Sequence, residues 1–184
     1  MKNEDVINRT KQMVAICSIL LSSASYGAGN SGVVNFNGMI TNTTCDTKIV
    51  VDGAEVGFVD LGIVSTTDFN NQVGKPTVSD VKFAVAAVDP TSCLANTASI
   101  NLVGQGVSGF DDVLSSDDIA TTHVGVQVLF DDDTQVLNKG LVPADTNFDF
   151  ESQAIQMKAN FFATEVQTFA GSVKSNATYQ IVYL

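Results

Sequence analysis

Ala177-Thr178-Tyr179-Gln180-Ile181-Val182-Tyr183-Leu184 sets Ala177, Tyr179, Ile181 and Tyr183 against Thr178, Gln180, Val182 and Leu184. A period of two belongs to a strand, not a helix, and aromatic and β-branched residues suit a pleated surface. The strand ends on an apolar residue with no polar tail after it. It is therefore expected to leave an open edge or groove at its side.

The same period recurs backwards along the chain. Ala154 to Thr164 sets Ile155, Met157, Ala159 and Phe161 against Gln156, Lys158 and Asn160. Val124, Val126, Val128 and Phe130 form one face of another strand, and Val81, Phe83, Val85 and Ala87 one face of Val78–Val88. Ala98–Val103, Val56–Leu61 and Cys45–Val51 read as further strands, the last ending at the hairpin signal Asp52-Gly53. Ser65–Lys75 reads as a loop, and Leu141–Asp149 as a bend leading into a strand. Phe110–Thr122, with Asp111, Asp112, Asp117 and Asp118, reads as a long acidic loop with room for one helical turn. With no sustained 3.6-residue pattern and about seven strands, the chain predicts an all-β antiparallel sandwich in one domain.

The front of the chain differs in kind. Lys2, Arg9 and Lys11 precede the short apolar run Met13–Leu21, and Ser22-Ser23-Ala24 fits a small-residue cleavage rule. Residues 1–24 are thus expected to be a signal peptide, with cleavage after Ala24 favoured over Gly27 or Ala28. The apolar run is too short to cross a bilayer, which takes about 20 residues, so no membrane insertion is expected. Cys17 leaves with this segment, and Cys45 and Cys93 then remain in an exported chain, where two cysteines are expected to pair. Next comes the Gly-rich stretch Ser25–Gly32, and then another alternating strand, with Val34, Phe36, Gly38 and Ile40 on one face. On pattern alone that strand either folds back on its own domain or reaches another.

Charge and motifs exclude several functions. Twenty acidic against nine basic residues give a net charge of −11, which repels phosphate backbones and argues against nucleic-acid partners. Gly104-Gln105-Gly106-Val107-Ser108-Gly109 matches a dinucleotide fingerprint. Asp111 and Asp112 stand where the helix N-terminus should meet the pyrophosphate, so a flexible inter-strand loop is expected there instead. His123 is the only histidine, which argues against zinc. The Asp clusters lack a calcium-loop spacing. No catalytic constellation is expected, and no cofactor. A secreted carbohydrate-binding sandwich is the rival, weakened by the absence of Trp and the presence of only three Tyr.

Taken in order, several pieces resemble the chaperone–usher pilins of Gram-negative bacteria, most nearly the type 1-like shaft subunits. They are Asn30-Ser31-Gly32-Val33-Val34-Asn35-Phe36-Asn37-Gly38 before Cys45, Val59-Asp60-Leu61-Gly62, Cys93, Gly171 fourteenth from the end, and the penultimate Tyr183. The resemblance implies an incomplete immunoglobulin-like antiparallel β-sandwich, the pilin fold, completed by donor-strand exchange. It implies residues 25–41 as an N-terminal extension whose donor positions are Val34, Phe36, Gly38 and Ile40. Residues 42–184 would be the pilin domain, with Gly171, Tyr179, Ile181 and Tyr183 bordering the acceptor groove. The implied partners are adjacent copies of the same or related pilins, a periplasmic chaperone and an outer-membrane usher. The implied destination is a fimbria used in cell adhesion, reached through the periplasm. The alternative within the family is a minor adaptor pilin.

Overall fold

The computed structural model describes residues 45–184; the leader and the donor positions expected between 1 and 44 lie outside them. Local chemistry starts the fold at the first hairpin. Asp52 and Gly53 both take positive φ (50° and 79°), the geometry that matches the twist of flanking strands. They join β1 (Thr47–Val51) to β2 (Ala54–Val56). The strands β3 (Val81–Ala87), β4 (Ala98–Gly104), β5 (Gly106–Val107), β6 (Phe110–Leu114) and β7 (Val124–Phe130) follow. Then come β8 (Val142–Pro143), β9 (Phe148–Asp149), β10 (Ala154–Ala163) and β11 (Ala177–Tyr183). Seven of these eleven have five residues or more.

The strands form two antiparallel sheets. The larger runs β2-β1-β3-β10-β7-β6-β5, with β9 also paired to β10; the smaller runs β11-β4-β8. The core lies between them and includes Val85, Ile100, Leu102, Val128, Phe130, Ile155, Met157 and Tyr183. Each of the long strands supplies alternate residues to it, as the period of two requires. The outer face of the larger sheet is not simply polar. Ala84, Ala86 and Ala154 are buried there beside Val50, so the centre of β3 is covered on both faces.

Three expectations are corrected. Phe110–Leu114 is a strand, not part of an acidic loop: Val113 and Leu114 are buried while Asp111 points to solvent and Asp112 accepts from Gln127 Nε2 at 2.6 Å. The single helical turn that the loop had room for is present as α1 (Ile119–Thr122). The glycine-rich 104–109 stretch is not a free loop, because β5 pairs with β6 through a turn at Gly109 (φ 87°). Strand structure expected over Val56–Leu61 stops at Val56, and the residues that follow have no ladder partner among the described residues.

Candidate assembly site

The smaller sheet has a consequence at β11. Seven register pairs, from Ala177↔Gly104 to Tyr183↔Ala98, join it to β4. On its other side no strand pairs with it among the described residues. Backbone donors and acceptors along a strand need partners, and an unpaired side is a template for an added strand. The side chains agree. Tyr183 is buried, but Ile181 and Tyr179, which share its face and pack on the same core, are only partly covered. Residues that point inward and still meet solvent mark a core left open along this strand.

The unpaired stretch after β2 packs on the same core. Leu61 and Val64 are partly buried there, Leu61 touching both apolar clusters. Toward the Ala177 end of β11 the body carries a cavity of about 520 Å³, lined by Val64, Phe69, Val124, Phe161, Phe169 and Val173 among others. Phe69 is set in this wall by a 3-10 turn (Thr66–Phe69) with a capping box between Ser65 and Asp68, and Asn70 takes a left-handed φ of 52° to end it. Ser65, Thr66, Thr168 and Ser172 share the lining, and its apolar part offers a surface to aliphatic side chains.

Gly171 also lines this cavity. A Cβ there would come within 2.6 Å of Thr122 Cγ2. Thr122 is fully buried and its hydroxyl donates to Asp118 O at 3.0 Å, so it has little room to yield. The glycine is needed for close approach, not for an unusual backbone. On the same wall His123 caps α1 with φ 59°. Its Nδ1 lies 2.8 Å from Gln167 O and 3.4 Å from Glu165 Oε2, and its ring meets Phe169 edge-on at 5.4 Å. It secures the 164–169 segment.

The terminal strand is tied to the body at both ends of its aromatic face. Tyr179 Oη and Thr47 Oγ1 lie 3.0 Å apart. Tyr183 Oη donates to Gln153 O at 3.3 Å. Burial, with the neighbouring Tyr179, pushes the Tyr183 phenol up to about 12, so it stays a neutral donor. Gln153 was not singled out from the sequence. It is buried, takes a φ of 49°, receives Ala95 N–H on Oε1 at 3.0 Å, and donates from Nε2 to Ala95 O and Phe150 O at 3.0 and 2.8 Å. Nothing in its local sequence marks it, because Ala95, which it bonds twice, lies 58 residues away. Cys45 and Cys93 are joined by a disulfide across 48 residues, with Cα atoms 5.7 Å apart.

Tyr179, Ile181 and Tyr183 thus share one face of β11 on the core, and Gly171 lines the cavity. Val34, Phe36, Gly38 and Ile40 lie outside the described residues. The acidic residues do not converge: Asp111 pairs with Lys139 at 3.1 Å, and no group of three metal-binding side chains forms among the described residues.

Comparison with known proteins accords with this geometry. A family model described as fimbrial protein matches residues 34–183. The S-fimbrial protein subunit SfaA of Escherichia coli O6:K15:H31 is 31% identical over 159 residues, covering 84% of each chain. Among solved structures, the P pilus rod subunit PapA superposes with a TM-score of 0.59 at 16% identity, over 84% of this chain and all of that one. A chaperone–usher pilus studied for rod uncoiling gives 0.52 at 16% identity, over 85% and 97%. These likenesses are to structural pilins and not to enzymes. An antiparallel sandwich with an open terminal strand, a family match over most of its length and a curated relative of the same kind lead to one conclusion: this chain belongs to the fimbrial protein family and is a structural subunit of a surface pilus, associating with other pilin subunits.

Proposed function

We propose that the subunit polymerises by donor-strand exchange, its residues 25–41 completing the sheet of a neighbour beside β11. The observation that carries this reading is the one-sided pairing of β11, with Tyr179 and Ile181 inward-facing yet half-covered. Val34 to Ile40 is seven residues, the same length as Ala177 to Tyr183. Every strand ladder in the two sheets is antiparallel, and an antiparallel donor keeps that pattern. It sets Ile40 at the cavity near Gly171 and Val34 near Tyr183, with Gly38 allowing close backbone approach. Burial of Val34, Phe36 and Ile40 contributes roughly 1.5–3 kcal/mol each, and main-chain pairing fixes the register. A head-to-tail contact of this kind does not close on itself and gives a filament.

In this reading residues 1–24 direct export to the periplasm and are removed. A periplasmic chaperone covers the opening beside β11 until an outer-membrane usher exchanges it for the next arm, and the finished fibre serves adhesion. The test is Phe36→Asp in the full chain, secreted with its chaperone and usher. Fibre formation is expected to stop while the chaperone complex still accumulates. Fibres at normal yield reject the assignment.

A further inference from the structure

We infer that the two ends of the sandwich carry matching apolar patches, which form a second joint between consecutive subunits in addition to the donor strand. The inference rests on the donor-strand reading and concerns the folded bodies, not the arm.

One patch surrounds the root of the arm. Cys45 is bonded to Cys93, and Leu94 beside it is 77% exposed. Phe150 is 58% exposed, and Val88 is exposed as well. Gln153 gathers the three segments that carry them, because it hydrogen-bonds Phe150 O, both backbone groups of Ala95 next to Leu94, and the N–H of Ala87 next to Val88. The other patch lies at the rim of the apolar cavity. Ile63, fully exposed, and Phe169, about half exposed, line it, and Val166, three residues before Phe169, is also about half exposed. β10 separates the two patches. It begins at Ala154, next to Gln153, and ends at Ala163, next to Thr164, which is bonded to His123. Ten residues of strand put the patches about 30 Å apart at opposite ends of the body.

Chain length then decides what meets what. Five residue steps separate Ile40 from Cys45, and five extended steps reach about 18 Å at most. With Ile40 seated at the cavity of one subunit, the Cys45 end of the next is held within that reach of the same cavity. The patch of Leu94, Phe150 and Val88 on one copy is thereby held close to Ile63, Val166 and Phe169 on its neighbour. Exposed apolar groups confined by a tether this short are driven together. The occupant of each patch is a second copy of this chain.

The test uses assembled fibres. Leu94 is replaced with the photo-crosslinking residue p-benzoylphenylalanine, fibres are irradiated, and crosslinked peptides are identified by mass spectrometry. Crosslinks are expected to segments 57–66 or 164–170. The 30 Å within one body makes these intersubunit products. A companion variant, Leu94→Asp with Phe150→Asp, is expected to form fibres whose persistence length falls at least twofold. Fibres that assemble normally but show no crosslink to either segment, or keep their stiffness in the double variant, overturn the joint and leave the donor strand standing. Normal fibres from Phe36→Asp overturn the donor strand, and the joint with it.

Discussion

Thr47 on β1 and Tyr179 on β11 meet hydroxyl to hydroxyl at 3.0 Å, joining the first described strand of the larger sheet to the terminal strand of the smaller one. The bond holds the Tyr179 ring, which packs on the core between the sheets. Tyr179→Phe is expected to lower stability by about 0.5–1.5 kcal/mol. The check is urea unfolding of the subunit complemented with a peptide spanning Gly32–Thr41. Thr47→Val should cost a similar amount, and the double variant should show the two effects to be coupled.

Gly171→Ala is expected to lose about 1–3 kcal/mol through overpacking, because the new methyl meets Thr122 Cγ2 at 2.6 Å. Thr122→Ser removes the opposing methyl and keeps the hydroxyl that donates to Asp118 O. The Gly171→Ala, Thr122→Ser pair should recover part of the loss in thermal melts. No recovery would place the cause elsewhere.

Gln153→Leu is expected to destabilise by about 2 kcal/mol or more. It removes the amide donor from the Ala95 and Phe150 carbonyls and leaves the Ala95 N–H only its bond to Cys93 O, at a position that already holds a positive φ of 49°. Hydrogen exchange of the Ala95 amide should speed up before that of the β10 amides.

The phenol of Tyr183 sets a pH window. Its folded value, about 12, lies above the ordinary 10.0, so the native state holds the proton more tightly than the unfolded chain. That contribution is complete below pH 10 and is lost as pH rises from 10 through 12. Chemical denaturation between pH 10 and 12 should show a steeper fall for the native subunit than for Tyr183→Phe.

Reduction of Cys45–Cys93 should cost about 4 kcal/mol, the chain-entropy value for a closed loop of this length. The expected readout is a lower urea midpoint for the complemented subunit in dithiothreitol. An unchanged midpoint would show that the reduced, unfolded chain is already constrained.

Much of this fold was legible because a half-buried strand prints its alternation on the sequence. β7, β10 and β11 fall within a residue or two of where their patterns place them. β6 was missed because Asp111 and Asp112 dominate a strand of only five residues, although Val113 and Leu114 are its buried end. The residues after Val56 look strand-like, yet no described strand pairs with them, since the missing partner is not a property of the local sequence. Gly171 and the β11 aromatics are singled out by family resemblance alone. Their partners Thr122, Thr47 and Gln153 were not, because each contact joins segments far apart in the chain. The family assignment also removes the secreted carbohydrate-binding module as a reading.

The long one-sided ladder of β11 has a mechanical meaning. Under the proposed assembly, a donor laid against its seven residues runs parallel to the line of pull between subunits. Tension along the fibre would then load the hydrogen bonds sideways and all at once, instead of prising them apart one after another. Such a link yields only when the whole row slips, which suits an appendage exposed to flow.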